Sequence, residues 1–120
     1  MTLAEIVQRG WDAFAAGDLD TLVADYTQDI LFVMPGQTDT INGIPDFRVA
    51  LENAVLPAGF EVINLRHIED DGEVVTICAW KSDKIEASQL AALFRFQGDK
   101  IYEERWFVDT EQWKGAFRSR

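Results

Sequence analysis

Apolar side chains recur at helical spacing near the start of the chain, at Leu3, Ile6, Val7, Trp11 and Phe14. Thr2 and Glu5 stand in the two positions of a capping box, which predicts that a first helix begins beside Thr2. Gly17 suits the C-terminal cap of this helix, because glycine adopts the left-handed backbone conformation without strain.

Capping and breaking residues divide the stretch up to residue 60 into shorter elements. These are a second helix capped by Asp18 and ending at about Ala24 or Asp25, a strand Ile30–Met34, a polar loop over residues 37–41 and a third helix near Asp46–Ala54. Pro35 and Gly36 stop the strand, and Pro45 suits the first turn of the third helix. Residues 56–59, LPAG, form the break that follows it.

The second half of the chain changes to the alternating pattern of strands. Four strands are predicted, at Phe60–Glu69, Glu73–Lys81, Ala87–Phe96 and Lys100–Val108. Short polar turns separate them, which indicates successive antiparallel hairpins, and Asp109 with Thr110 can cap one last helical turn. Helices followed by strands predict one α+β domain over residues 1–120, with three N-terminal helices packed on one face of a curved antiparallel sheet.

Apolar residues also occupy the positions that face away from these helices. The segment VVTICAW is apolar at both parities, and the last strand has Trp106 and Val108 on one side but Ile101 and Phe107 on the other. A sheet with one solvated face alternates more cleanly. We therefore expect a second copy of the chain to cover the outer sheet face, burying Phe107 and Leu93 in a homodimer.

Charge and composition exclude several classes of function. The formal net charge is −10, which disfavours nucleic acid and anionic membrane surfaces as partners. The apolar run Ile30–Met34 is far too short to span a membrane, and the N-terminus does not resemble a secretory signal, so we expect a cytoplasmic protein. With one cysteine, Cys78, and one histidine, His67, we expect no disulfide, no zinc site and no cofactor.

Five segments in order resemble the nuclear transport factor 2-like superfamily, which includes SnoaL-like polyketide cyclases and ketosteroid isomerase. They are WDAFAAGDLDTLVADY, the strand ending in MPG, NGIPDFRVAL, DGEVV and FRFQGDKIYEERWFVD. The resemblance covers nearly the whole chain. It implies a cone of highly curved antiparallel sheet around the first helix, with an internal pocket and dimerisation through the outer sheet face.

The resemblance to ketosteroid isomerase can be followed residue by residue. The position of its general-base aspartate is Met34, that of its oxyanion tyrosine is Gly10, and that of its second oxyanion acid is Ala92. None of these side chains can perform the corresponding step, so we expect no steroid isomerisation by that mechanism. A second tyrosine of that pocket does match, at Tyr26.

The same matching predicts the wall of the pocket: Phe14, Tyr26, Met34, Leu51, Ala92, Phe94, Tyr102 and Trp106. Such a wall suits a flat or lipid-like small molecule. The alternative is that these side chains meet and fill the cone. Gly10 and Ala92 are small and leave room for a cavity.

Other polar residues have simpler interpretations. His67 lies on a strand and is expected to be structural, although it could line the pocket. Asp109 holds the place of an acid in SnoaL-like relatives, but its interpretation as a helix cap is the stronger one. Asp39 lies in a loop and is expected to be solvated.

Glu103 and Glu104 point to opposite faces of the last strand, and the hairpin register decides which one faces the pocket. A three-residue loop, residues 97–99, pairs Ala92 with Glu104, so that Glu104 faces inward with Tyr102, Trp106 and Val108. A two-residue loop instead pairs Glu103 with Phe94. The superfamily's hairpin length favours the first register.

An inward Glu104 without a cation beside it should have a raised pKa. The alternative is that Glu104 lies at the solvated mouth of the cone, or pairs with a basic residue such as Lys81, and stays ionised. From the apolar wall, the sequence predicts a pocket that binds a small hydrophobic molecule. The alternative is a cofactor-independent cyclase, isomerase or dehydratase that uses Glu104 as acid or base.

Overall fold

The computed structural model describes residues 1–37, 39–53 and 57–117. Its elements are α1 (Leu3–Ala16), α2 (Leu19–Val23), β1 (Tyr26–Val33), β2 (Thr40–Asn42), α3 (Ile44–Glu52), β3 (Glu61–Asp70), β4 (Glu73–Lys81), β5 (Ser88–Gln97), β6 (Lys100–Val108) and α4 (Thr110–Phe117). The α+β prediction is confirmed. Ala54, the predicted end of the third helix, and Leu56, at the start of the predicted break, lie outside the described residues.

The helix boundaries follow from the capping residues. The Thr2 side chain accepts from the backbone N–H of Glu5 at 3.1 Å, and the Glu5 carboxylate accepts from the N–H of Thr2 at 2.7 Å. Gly17 ends α1 with φ = 72°, in the left-handed region. Asp18 caps α2 through the N–H of Thr21. The predicted first two helices are therefore confirmed, and the last helical turn is a helix of eight residues.

A single curved, open sheet of six strands has the order β2-β1-β6-β5-β4-β3. The three predicted hairpins of the second half pair antiparallel. β1 joins this sheet in parallel with β6, and β2 forms within the segment predicted as a polar loop. β1 also begins at Tyr26, four residues before its apolar run, because pairing with β6 extends it through polar residues.

Alternation along the strands gives the sheet two different faces. Val74, Thr76, Cys78 and Trp80 of β4 are buried on the inner face, against α1. On the outer face Val75, Ile77, Ala91 and Leu93 are half-buried, whereas Phe107 is 46% exposed. The two-sided apolar pattern of the strands thus leaves a partly exposed apolar outer face.

The last hairpin differs from both registers considered from the sequence. Gln97 pairs with Lys100, so only Gly98 and Asp99 form the turn. A β-bulge then places Tyr102 between the pairs Phe96–Ile101 and Arg95–Glu103 without a partner. As a result Phe94, and not Ala92, lies opposite Glu104.

The prediction that Tyr102 faces inward is therefore wrong. The bulge turns Tyr102 outward, and the side chain is 39% exposed. Ile101 takes the inward place and is buried.

Among the described residues no helix combines the length and hydropathy needed to cross a membrane.

Candidate functional site

A cavity of ≈ 140 Å³ lies inside the cone, bordered by α1, α2, β1, α3, β5, β6 and α4. Six of the residues predicted for its wall line it: Phe14, Tyr26, Met34, Leu51, Phe94 and Trp106. Glu104 lines it as well. The cavity therefore joins side chains that are up to 107 residues apart in the chain, from Ile6 to Trp113.

Ala92 does not line the cavity, contrary to the prediction. It lies on the inner face of β5 between Thr76 and Trp106, and it is fully buried in the core. Enclosed between these strand neighbours, its short side chain does not border the cavity. Tyr102 lies on the outside, as described for the bulge.

Several lining residues were missed by sequence reasoning: Trp11, Asp25, Phe32, Phe47 and Trp113. Two of them carried a usable signal. Trp11 precedes Phe14 by three residues and Phe47 precedes Leu51 by four, so each shares a helix face with a predicted residue. Trp113 reaches the cavity only because α4 folds back against the sheet, which no local pattern reveals.

Glu104 is the polar centre of the cavity wall. Its side chain is 5% exposed. The Tyr26 hydroxyl donates to Oε1, and Trp106 Nε1 donates to Oε2 at 2.7 Å. Phe94 and Phe32 are its partners on the two neighbouring strands. Each carboxyl oxygen therefore has one donor from the protein, inside an otherwise aromatic surrounding.

Burial raises the pKa of Glu104 to about 7, although the hydrogen bonds from Tyr26 and Trp106 act in the opposite direction. Burial and the nearby Glu104 carboxylate raise the pKa of Tyr26 well above its ordinary value. Tyr26 thus remains a neutral donor. Among the described residues that line the cavity, none is a lysine, arginine or histidine that could compensate the charge of Glu104.

Asp25 lines the cavity next to Tyr26, and its charge is compensated. Arg9 donates from Nε to Oδ2 at 2.8 Å and from Nη2 to Oδ1 at 2.7 Å. This bidentate contact raises the pKa of Arg9. The side chain of Arg9 is 41% exposed, so the pair reaches from the cavity wall to solvent.

Aromatic rings hold the wall around Glu104 in place. The centroid of Trp106 lies 5.6 Å from that of Trp11 and 6.3 Å from that of Trp113. Phe60 stacks with Trp106 at a centroid distance of 6.2 Å. The indole that donates to Glu104 is thus packed between rings from α1, α4 and the start of β3.

His67 does not line the cavity but supports its wall through a hydrogen-bonded chain. Gln8 Nε2 donates to Asp12, so Gln8 Oε1 accepts from His67 Nε2 at 2.7 Å. This leaves His67 Nδ1 as an acceptor for the Thr76 hydroxyl at 2.9 Å, and that hydroxyl accepts from Trp11 Nε1 at 3.2 Å. Partial burial lowers the pKa of His67, which favours this neutral tautomer.

The remaining polar candidates have structural places. Asp109 caps α4 by accepting from the N–H groups of Glu111 and Gln112 at 3.0 and 3.1 Å. Asp39 is exposed. Cys78 is buried, and burial raises the pKa of its thiol to about 11, so it is a poor nucleophile. The part of the chain that the structure describes contains no cluster of three or more residues suited to a metal ion.

Comparisons with known proteins agree with this architecture. A family model described as a SnoaL-like domain matches residues 7–104. No curated protein sequence matches the chain at a significant level.

Solved structures share the fold at low sequence identity. An NTF2-like protein of unknown function from Burkholderia pseudomallei K96243 has a TM-score of 0.86 and 15% identity, covering 99% of this chain and 100% of its own. A "putative polyketide cyclase" from Pseudomonas putida KT2440 has a TM-score of 0.84 and 15% identity, covering 98% and 99%. Bal32a, from a soil-derived mobile gene cassette, has a TM-score of 0.83 and 22% identity, covering 97% and 96%.

Proposed function

The chain belongs to the family of SnoaL-like domains, and we propose that it binds one small, mainly apolar molecule in the cavity, with a polar group of that molecule against Glu104. The observation that carries this proposal is a buried carboxyl group at a cavity wall that is otherwise almost entirely apolar and aromatic. Such walls with few polar groups are typical of small-molecule sites.

The volume of the cavity limits the size of the ligand. An apolar cavity of about 150 Å³ in another protein holds benzene. A cavity of ≈ 140 Å³ therefore suits a molecule of about one ring. A molecule with four fused rings would need the cone to open.

NMR titration with cyclopentanol tests the binding. Trp106 and Trp113 line the cavity and Trp80 does not, so the indole N–H signals of the first two should shift while that of Trp80 changes less. Replacing Gly10, which also lines the cavity, with leucine should fill the space and weaken binding at least tenfold. A β-carbon at Gly10 would meet Leu22 at 3.5 Å, an ordinary contact, so Gly10→Leu should fold.

Gly115→Leu is the matched control, because a β-carbon there would have no heavy atom within 4 Å. This variant should bind like the wild type. If Gly10→Leu fails to fold, Ala50→Leu fills the same cavity from α3. Equal binding by the filled and unfilled proteins would refute the cavity as the binding site.

A second candidate function is acid–base catalysis by Glu104 on a bound carbonyl compound. A pKa of about 7 means that both forms of the carboxyl group are present near neutral pH, which favours proton transfer in either direction. A similar fold in a protein described as a polyketide cyclase adds only analogy.

Deuterium exchange at the α-carbon of cyclopentanone tests this second function. The Glu104 carboxylate would remove an α-proton to give an enolate and the carboxylic acid. That acid would exchange its proton for deuterium with D₂O and then deliver the deuterium to the α-carbon, which regenerates the ketone and the carboxylate. Wild-type protein should accelerate exchange over buffer, and Glu104→Gln should abolish that acceleration. Exchange at the buffer rate with bound ketone would leave binding as the function and exclude this catalysis.

A further inference from the structure

We propose that Glu104 makes the cavity selective for hydrogen-bond type: its protonated form takes ketones and aldehydes, its ionised form takes N–H and O–H donors, and carboxylate ligands are excluded from both. This inference deepens the proposed function and rests on it. It concerns which small molecules the cavity accepts and at which pH.

The geometry of the carboxyl group is the first step. A carboxylate offers about four lone-pair sites over its two oxygens. Tyr26 occupies one site on Oε1 and Trp106 one on Oε2, so each oxygen keeps one site that no described residue uses. The carboxylate can therefore only accept from a ligand, whereas the protonated acid has one hydrogen to donate.

Among the described residues, two other groups with a titratable side chain line the wall, and each already has a partner. Glu104 faces Tyr26 from β1, whose pKa is raised well above its ordinary value. Asp25, just before β1, is paired with Arg9 from α1. The described lining residues of α3, β5, and α4 are apolar or, at Trp113, an indole. We therefore assign the pH dependence of binding to Glu104, whose pKa of about 7 lies in the range where binding is measured.

The same arrangement excludes anionic ligands. A buried carboxylate from a ligand would need a cation, and none of the described lining residues supplies one. Arg9 contacts the wall at Asp25, where it already forms a bidentate pair. Placing a second carboxylate beside Glu104 would add repulsion.

Opposite pH dependences follow from this assignment. Apparent affinity scales with the fraction of protein in the competent form. With a pKa of about 7, the protonated fraction falls from nearly all at pH 5.5 to a few per cent at pH 8.5. An acceptor-only ligand should lose roughly 30-fold in affinity over this range, and a donor-only ligand should gain about as much.

Three ligands with a five-membered ring distinguish binding by the protonated form of Glu104 from binding by the ionised form. Cyclopentanone can only accept, pyrrole can only donate, and cyclopentanol can do both. NMR titrations at pH 5.5 and 8.5 should show weaker binding of cyclopentanone and tighter binding of pyrrole at the higher pH. Cyclopentanol should change less than either, and cyclopentanecarboxylate should not bind at pH 8.5.

Glu104→Gln should bind both ligands with no pH dependence, because an amide donates and accepts at every pH. The matched control is Glu103→Gln, on the outer face of the same strand, which should keep the opposite slopes of the wild type. The inference would be overturned if the affinities of cyclopentanone and pyrrole changed in the same direction with pH. It would also be overturned if either affinity still depended on pH in Glu104→Gln.

The inference and the proposed function fail in different ways. If cyclopentanol does not bind, or binds Gly10→Leu equally well, the cavity is not a binding site and both are refuted. If cyclopentanol binds in the cavity but the two slopes agree, the cavity binds ligands without selection by Glu104, and only the inference is refuted.

Discussion

Replacing Glu104 with glutamine should stabilise the protein at high pH and leave its stability at low pH nearly unchanged. Glutamine has the same shape, and its amide can satisfy both existing partners. Its oxygen can accept from Trp106 Nε1, and its NH₂ group can donate to the Tyr26 oxygen once that hydroxyl rotates. The substitution therefore removes the charge and creates no cavity.

The magnitude follows from the pKa of the buried carboxyl group. In the unfolded chain Glu104 has the ordinary value of 4.5, and in the folded protein burial raises it to about 7. One pKa unit corresponds to about 1.4 kcal/mol. Ionisation should thus lower the free energy of unfolding by about 3 kcal/mol, an order-of-magnitude figure.

The sign and the pH window come from the two pKa values. Between them the folded protein binds more protons than the unfolded chain, so stability falls as pH rises. The contribution of Glu104 is fully present below pH 4.5, is lost progressively between 4.5 and about 7, and stays lost above. Glu104→Gln should therefore match the wild type near pH 4.5 and exceed it by about 3 kcal/mol at pH 8.

Urea denaturation of the wild type and of Glu104→Gln between pH 4.5 and pH 8 measures the difference in their free energies of unfolding. The contributions of the other titrating groups cancel in that difference. Carbon-13 NMR titration of the Glu104 carboxyl should give a midpoint near 7. Glu103→Gln is the control: this change removes a carboxylate that contacts Arg95 and Arg105, and it should bring no gain at pH 8. A constant difference between Glu104→Gln and wild type, or a midpoint at or below 4.5, would refute the reasoning.

Three further outcomes are expected. Sedimentation equilibrium should show a dimer at micromolar concentration, and a wild-type monomer would contradict this. Phe107→Glu should shift the equilibrium to monomer, because Phe107 lies exposed on the apolar outer face. Turnover of a standard steroid enone should be undetectable, since the matched catalytic positions carry no acid or base; rates near those of isomerases would reveal a missed base. Thr76→Val should cost about 1–3 kcal/mol in urea denaturation, because it removes the hydroxyl that contacts Trp11 Nε1 and His67 Nδ1. Thr27→Val is its control and should cost little, because the buried Thr27 hydroxyl has no hydrogen-bond partner in the described part of the chain.

Local signals predicted most of the fold because each acts over a few residues. The capping box at Thr2, the left-handed Gly17 and the alternating strands of the second half all appear as expected. The parallel pairing of β1 with β6 was not predicted. This pairing places Tyr26 opposite Ile101, and capping and turn residues do not indicate contacts between such distant segments.

The last hairpin shows how a site residue can be predicted from an incorrect register. A three-residue loop was expected, and the structure has a two-residue turn followed by a bulge at Tyr102. Shortening the loop by one residue exchanges the inner and outer faces of the strand, and the extra residue of the bulge exchanges them again. Glu104 therefore still faces inward. Beyond the bulge every pair is shifted by two residues, which returns the same side chains to the inner face.

The wall of the site was only partly predictable, for a related reason. The family resemblance placed Tyr26 and Phe94 at the cavity because the fold fixes their strands. It gave no indication that Tyr26 and Trp106 each donate to Glu104, since hydrogen bonds depend on side-chain reach across the cone. That arrangement, more than the apolar wall, determines the chemistry of the site.

The environment of Glu104 argues that its carboxyl group has a use beyond stability. A buried acid without a cation makes the folded protein less stable above neutral pH. Glutamine would fit the same space and the same two donors, and a methionine would fill it without any polar group. A residue that breaks the local rules in this way, beside a cavity, is expected where function and not packing determines the side chain. Two donors hold the carboxyl group at the wall and fix its direction, while its pKa stays at about 7. This combination is the one that the proposed ligand selection or proton transfer requires, and it does not add to the stability of the core above neutral pH.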